Sequence, residues 1–354
     1  MKIRKIYKSV IFALCLIPMV LHLKVTHAND MKFGVFIIPP ENQRDNITGY
    51  FDMLMEPGSE QLIEIEITSV SDETIIVIVD MSSASTDSGG FVHYKPQKGR
   101  EGDYDESLPF AFEDIASIET ARIELGPRET IRVPIRIKMP EEEFNGVIAG
   151  GLGISKEIDL EAIRAETNEM FINVFSFEVP VIIRQNETVL LPDLLLLDAY
   201  ASQRNWRNIV AAHLQNPEMM FINQMSIYAR VTPAGSNETL FEHFVESRQV
   251  APNSNFVFGI PLNGERFTSG DFLLHMEVDS NNGRWSFVRD FHITPEQARA
   301  LNETDVSIQR ISLWVFIAIG GAILLAVSIT YMTMLKRKAK KTANEAVDEI
   351  MSRM

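Results

Sequence analysis

The chain has 354 residues, a formal charge of −15 and a single cysteine. That length suits two domains of ordinary size. The acidic balance argues against a nucleic-acid or other polyanionic ligand, and a lone cysteine excludes an internal disulfide framework, so any extracellular part is held together by core burial alone.

Residues 1–28 read as a secretory signal. Lys2, Arg4, Lys5 and Lys8 precede an apolar run, VIFALCLIPMVL, and Thr26-His27-Ala28 offers a small residue at the cut. An uncleaved anchor is the alternative. Cys15 falls inside the run and follows Leu14, where a lipoprotein signal needs a small residue.

The first exported stretch of interest is IPPENQRDNITGYFD. Pro39 and Pro40 stiffen it and remove ladder donors. A stiff loop exposing Glu41, Asn42, Gln43 and Arg44 offers amides and charge to a ligand bearing hydroxyls, amides or carboxylates at small ordering cost. The competing reading is that Asn42 and Gln43 hydrogen-bond neighbouring turns and fix one end of a domain.

The segments that follow alternate with a period of two. In QLIEIEITSV, Ile63, Ile65 and Ile67 alternate with Glu64, Glu66 and Thr68; in ETIRVPIRIKMP, Val133, Ile135 and Ile137 alternate with Arg132, Pro134 and Arg136. Such a pattern predicts strands with one face in a core and the other in water. Pro134 lacks an N–H and predicts an edge strand or a bulge. Short strands between turns, without disulfides, predict an immunoglobulin-like β-sandwich over 33–155.

Residues 156–170 are polar and helix-permissive, a linker or short helix. The run MFINVFSFEVPVIIRQN then alternates like a strand, and periodicity leaves open which domain owns it; the division adopted starts a second sandwich at 171 and ends it at 296. Seven strands are predicted there, over 194–200, 207–215, 222–231, 240–247, 256–260, 271–278 and 285–293. An exposed edge among them is suited to strand addition by a partner. Trp206, Met219, Met220 and Phe221 are candidate apolar anchors, with burial as the competing reading for each.

The run LWVFIAIGGAILLAVSITYMTML, residues 313–335, carries no charge and is long enough to span a bilayer. Trp314 and Tyr331 lie near its ends, and Lys336, Arg337, Lys338, Lys340 and Lys341 follow. The positive-inside bias puts the tail 336–354 in the cytoplasm and the sandwiches outside. The segment between signal and span holds 22 Lys and Arg against 45 Asp and Glu, about −23. The architecture expected is therefore all-β, two tandem sandwiches followed by one transmembrane helix.

Catalytic and metal signatures are missing: no H-E-x-x-H, no Cys/His cluster and no P-loop. GGLG at 150–153 sits in a strand-like run, which favours close backbone approach over phosphate binding. EGDYDE at 101–106 offers oxygen ligands but not the spacing of a calcium loop, and reads as a solvated acidic loop. No cofactor, metal or catalytic residue is expected.

An ordered set of motifs resembles the WxL-interacting proteins of Gram-positive cell surfaces. It runs PENQ, GYFD, SSASTDSGGFVHY and LGPRETIRVPIRIKMPEEEFNGVIAGGL, then PVIIRQN, LQNP, VAPNSNFVFGIPL, SGDFLLHMEV and GRWSFVRDFHI. The resemblance implies a non-catalytic adaptor whose first domain binds peptidoglycan and whose second binds a WxL-domain surface protein. The tryptophans read WRN, WSF and WVF, so the chain looks like the interacting partner and not a WxL protein. A surface receptor or adhesin for a host extracellular protein, and an accessory subunit of an exported assembly, are the alternatives.

Overall fold

The computed structural model describes residues 31–44, 49–96, 104–158, 174–309 and 319–337. The signal segment, most of the stretch 156–170, the start of the apolar run and nearly all of the tail lie outside the described residues.

The first sandwich contains β1 (Phe33–Ile38), β2 (Phe51–Leu54), β3 (Glu60–Ser69), β4 (Ile75–Ser83), β5 (Ser85–Thr86), β6 (Val92–His93), β7 (Ala116–Ile118), β8 (Arg122–Leu125), β9 (Thr130–Lys138), β10 (Ile148–Lys156) and β11 (Ser176–Arg184). One sheet has the order β1-β3-β9-β7, the facing one β2-β11-β10-β4-β8, and β5-β6 forms a separate hairpin. The isoleucines of β3 and the Val133, Ile135 and Ile137 side chains of β9 point into the core while their charged neighbours face water. Burying each such side chain contributes about 1.5–3 kcal/mol.

Pro134 sits on an inner strand, yet its neighbour β7 pairs only with Ile135, Arg136 and Ile137. The ladder stops one residue short of the missing N–H, so an edge exists locally where the sequence requires one.

The glycines of GGLG admit close neighbours. A Cβ on Gly150 would stand 2.2 Å from Phe112 Cγ, one on Gly151 2.6 Å from Tyr94 Cβ, and one on Gly153 2.6 Å from Lys95 Cβ. Close approach is thus the role of this run, although the covering atoms belong to the chain after β6 and the helical turn Phe112–Ile115.

The second sandwich contains β12 (Leu195–Arg204), β13 (Arg207–Asn216), β14 (Ile222–Pro233), β15 (Phe241–Val250), β16 (Ser254–Pro261), β17 (Gly270–Asp279) and β18 (Arg284–Ile293). Its sheets run β12-β13-β16 and β15-β14-β17-β18. All seven strands expected in this region form. The helix Pro295–Thr304 follows, opened by a capping box in which Thr294 and Gln297 exchange hydrogen bonds.

By strand pairing β11 lies antiparallel to β10 and parallel to β2, in the sheet of the first sandwich, whereas the division adopted from sequence groups it with the second domain from 171. Its alternation reports a half-buried strand, whereas its partners lie tens to more than a hundred residues away, beyond what periodicity senses. By strand pairing the boundary falls between β11 and β12.

The apolar helix Ile319–Arg337 is long enough to cross a membrane.

Candidate binding surfaces

The loop at Glu41–Arg44 is tied down from several sides. Asn42 Nδ2 donates to Leu54 O and to Gln61 Oε1, both at 2.9 Å, and Gln61 Nε2 returns a 2.7 Å bond to Asn42 Oδ1. Gln43 Nε2 donates to Tyr50 O, and its Oε1 accepts from the Asp52 N–H. Arg44 pairs with Glu187 at 2.8 Å and lies 3.8 Å from Asp52, whose carboxylate also takes Arg184 at 2.9 Å. Asn42 and Gln43 therefore act as braces between the loop, β2 and β3. Glu41 is the exposed residue of the four.

Met219, Met220 and Phe221 lie between the sandwiches, each half-buried. Met219 packs against the first core, and its carbonyl accepts the Val147 N–H at 2.8 Å. Phe221 packs on a small cluster of Ala84, Val147, Ala149, Ile182 and Ala251 that straddles both sandwiches. These two anchors are thus engaged within the chain.

The same seam carries a buried polar network. Asp105 accepts from Gln215 Nε2 at 2.8 Å, Asn255 Nδ2 at 2.7 Å and the Ser107 N–H at 2.9 Å. Burial pushes its carboxyl up, but the hydrogen bonds from Ser107, Asn255 and Gln215 prevail and hold it below the usual range. Asn253 Nδ2 donates to Ser107 O and Pro217 O, both at 2.8 Å. Thr86 Oγ1 and Ser254 Oγ are 2.9 Å apart, and Thr86 Oγ1 accepts the Ala251 N–H. Asp105, expected in a solvated acidic loop, is a clamp between domains. Its partners Gln215 and Asn255 are over a hundred residues away, which is why sequence spacing did not reveal it.

A recess of about 810 Å³ opens beside the seam, lined by Asn223, Gln224, Ser226, Glu246, Ser247, Arg248, Gln249 and Asn281. The β14–β15 register slips twice there, at Ile222/Met225 and Met225/Ile227, and Gln224 and Ser247 adopt left-handed backbone. Arg248 stacks over the Phe91 ring at 4.4 Å. β15 is an edge strand: the first-domain hairpin caps its end through Gln249 N–H to Gly90 O, while Phe244 stays 58% exposed beside its register partner Tyr228.

Trp206 stands apart from Met219–Phe221, at the tip of the β12–β13 hairpin. Arg204 and Arg207 pair across a two-residue turn in which Asn205 and Trp206 both have positive φ, 52° and 59°. The indole-bearing residue is 66% exposed. The structure brings the two binding candidates Met219 and Phe221 together at the seam and leaves Trp206 and the Glu41 loop separate. Among the described residues no group of three or more His, Cys, Asp or Glu could hold a metal.

Two family models match the chain. Residues 33–156 match "WxL Interacting Protein, peptidoglycan binding domain" and residues 167–303 match "WxL Interacting Protein, host binding domain". The second match begins upstream of β11, so the family boundary and the strand-pairing boundary differ by one strand. Among solved structures the chain is similar to the YadV chaperone, with 8% identity and a TM-score of 0.28 over 74% of this chain and 100% of that one. It is also similar to the E. coli chaperone DraB, at 11% and 0.27 over 74% and 97%, and to the Pseudomonas aeruginosa CupB2 chaperone, at 13% and 0.27 over 67% and 95%. That distant likeness carries no function. No curated protein matches the chain. Both sandwiches fall within matched domains of one family, and the chain belongs to the WxL-interacting proteins.

Proposed function

We propose that this protein is a non-catalytic bridge at a Gram-positive cell surface. The first sandwich holds peptidoglycan, the second holds a protein partner, and the apolar helix anchors the chain with its basic tail in the cytoplasm. The carrying observation is that two binding-domain models of one family match the two halves of one chain. The seam adds a physical reason: the hydrogen bonds of Asp105, Asn253 and Thr86 couple the two halves, so load on one passes to the other.

The partner proposed first is a WxL-domain surface protein. A host extracellular protein is the second reading, favoured by the description of the matched second domain as host binding. The docking element proposed is the open half of β15, where unpaired backbone groups and the Phe244–Tyr228 pair offer strand addition with an aromatic anchor. On the wall side Glu41 is the exposed group of the N-terminal loop, with Asn42, Gln43 and the ion-paired Arg44 shaping it.

The test uses the whole ectodomain against insoluble peptidoglycan, a recombinant WxL domain and a host matrix protein. Phe244→Glu is expected to abolish protein binding and leave wall sedimentation intact. Glu41→Ala with Arg44→Ala is expected to do the reverse. If the folded wild-type ectodomain binds neither wall nor either protein, the bridge is wrong. If Phe244→Glu binds its partner normally, the β15 edge is not the docking element.

A further inference from the structure

Trp206 is a bulky residue with left-handed backbone, which costs about 1–2 kcal/mol for an L side chain. Yet its side chain is largely in water. The carbonyl is engaged: Trp206 O accepts the Val306 N–H at 2.9 Å. Val306, itself 69% exposed, is thereby held beside the hairpin tip.

The chain near Val306 is rigidly clamped. Asp305, buried, accepts the Asn208 N–H at 2.8 Å and both the N–H and Oγ of Ser307 at 2.6 Å. Ile308 is buried next to it. On the preceding helix, Asn302 exchanges hydrogen bonds with the Phe267 backbone and accepts Asn208 Nδ2. The direction in which the chain leaves the second sandwich is therefore fixed relative to Trp206.

Only three residues separate Gln309 from the apolar run that begins at Leu313. The four Cα-to-Cα steps from Gln309 to Leu313 reach at most about 14 Å even when fully extended. A domain whose exit point is fixed and whose tether is that short must hold its exit face against the bilayer. That face presents Trp206, Val306 and the exposed cations Arg207 and Arg266, together with Glu265 and Glu303. An amphipathic indole beside guanidinium groups suits the headgroup region, where tryptophan concentrates and arginine meets lipid phosphate.

From this we infer that the Asn205–Trp206 hairpin tip, with Val306, inserts into the headgroup layer of the same membrane that holds the apolar helix. The contact sets the tilt of the ectodomain and points the first sandwich away from the lipid. It rests on the membrane-anchor reading proposed above. It also gives Trp206 a lipid partner in place of the protein partner expected from sequence.

Full-length protein is reconstituted in liposomes of phosphatidylglycerol and phosphatidylcholine brominated near the top of the acyl chains, in a Trp314→Phe background. Flotation reports anchoring and fluorescence reports Trp206. The emission lost on adding Trp206→Phe is expected to be blue-shifted and largely quenched by the brominated lipid. Trp206→Asn, which keeps a residue tolerant of positive φ, must give the same difference. Flotation with an unquenched Trp206 component overturns the docking and leaves the anchor standing. Failure to float overturns both. A Trp206 component that ignores lipid and shifts only on adding the protein partner also overturns it.

Discussion

Asn253 and Trp206 are both non-glycine residues held at positive φ, 46° and 59°, and both belong to the second sandwich. Their side chains meet opposite fates. The Asn253 amide is buried and donates to Ser107 O and Pro217 O, so its backbone strain is offset inside the fold and joins one sandwich to the other. The Trp206 side chain faces water. Strain offset by internal hydrogen bonds marks a structural joint, and strain held at an exposed aromatic tip points outward.

The sharpest way to break this contrast is at the joint. Asn253→Ala leaves buried carbonyls unpaired and puts an alanine at positive φ, and is expected to cost about 2–4 kcal/mol. Urea unfolding of the ectodomain checks it, and loss of a single cooperative transition would show that the seam couples the sandwiches. Gly146→Ala tests the same joint from the other side. Its φ is +93°, and a Cβ would stand 2.3 Å from Met219 O, so a loss of about 2–3 kcal/mol is expected in the same assay.

Asn42→Ala is expected to cost about 1 kcal/mol, since part of its bonding reopens to water. A loss of wall binding without that loss of stability would move Asn42 from brace to ligand contact.

A pH series sharpens the contrast further through Glu178 and His93. Burial pushes the Glu178 carboxyl up, but hydrogen bonds from His93 and the Tyr94 N–H, with the charges of His93 and Lys95, pull it down to about 2. Its stabilising effect is present above the ordinary value of 4.5 and is lost as pH falls through about 2. His93 is raised above 6.5 by its hydrogen bond to Glu178, against burial, with Asp87 adding to the rise. That contribution is complete below 6.5 and is lost as pH rises through the raised value. Glu178→Gln is therefore expected to destabilise most between pH 4.5 and 6.5, with the deficit shrinking on both sides in a set of thermal melts.

The smallest expected effect is at the tip. Trp206→Asn should cost the soluble ectodomain no more than about 0.5 kcal/mol of stability, since asparagine tolerates the left-handed backbone. A larger loss would make Trp206 a structural residue like Asn253 and collapse the comparison.

Much of this was legible in the chain. The alternation of Ile63, Ile65 and Ile67 with acidic neighbours is a β pattern, and the core side of β3 follows from it. The seven strands of the second sandwich announce themselves by the same rhythm between Pro, Gly and Asn turns. The roles of particular polar residues were not legible. Asn42 reads as a presenting amide until Gln61, nineteen positions on, takes both ends of it. Asp105 reads as solvated acid until Gln215 and Asn255 arrive from the other sandwich.

What the sequence alone determined is local: the all-β class, which face of each strand is buried, and an apolar run fit to span a bilayer. These follow from the two-residue period of a strand and the length of a hydrocarbon core, properties that neighbouring residues carry by themselves. The tertiary structure alone decided that β11 completes the first sandwich, that Met219 and Phe221 close the seam, and that Trp206 shares an exit face with the tether. Those outcomes depend on which distant segments meet, and a hydrogen-bond donor or an apolar side chain carries no mark of which partner will satisfy it.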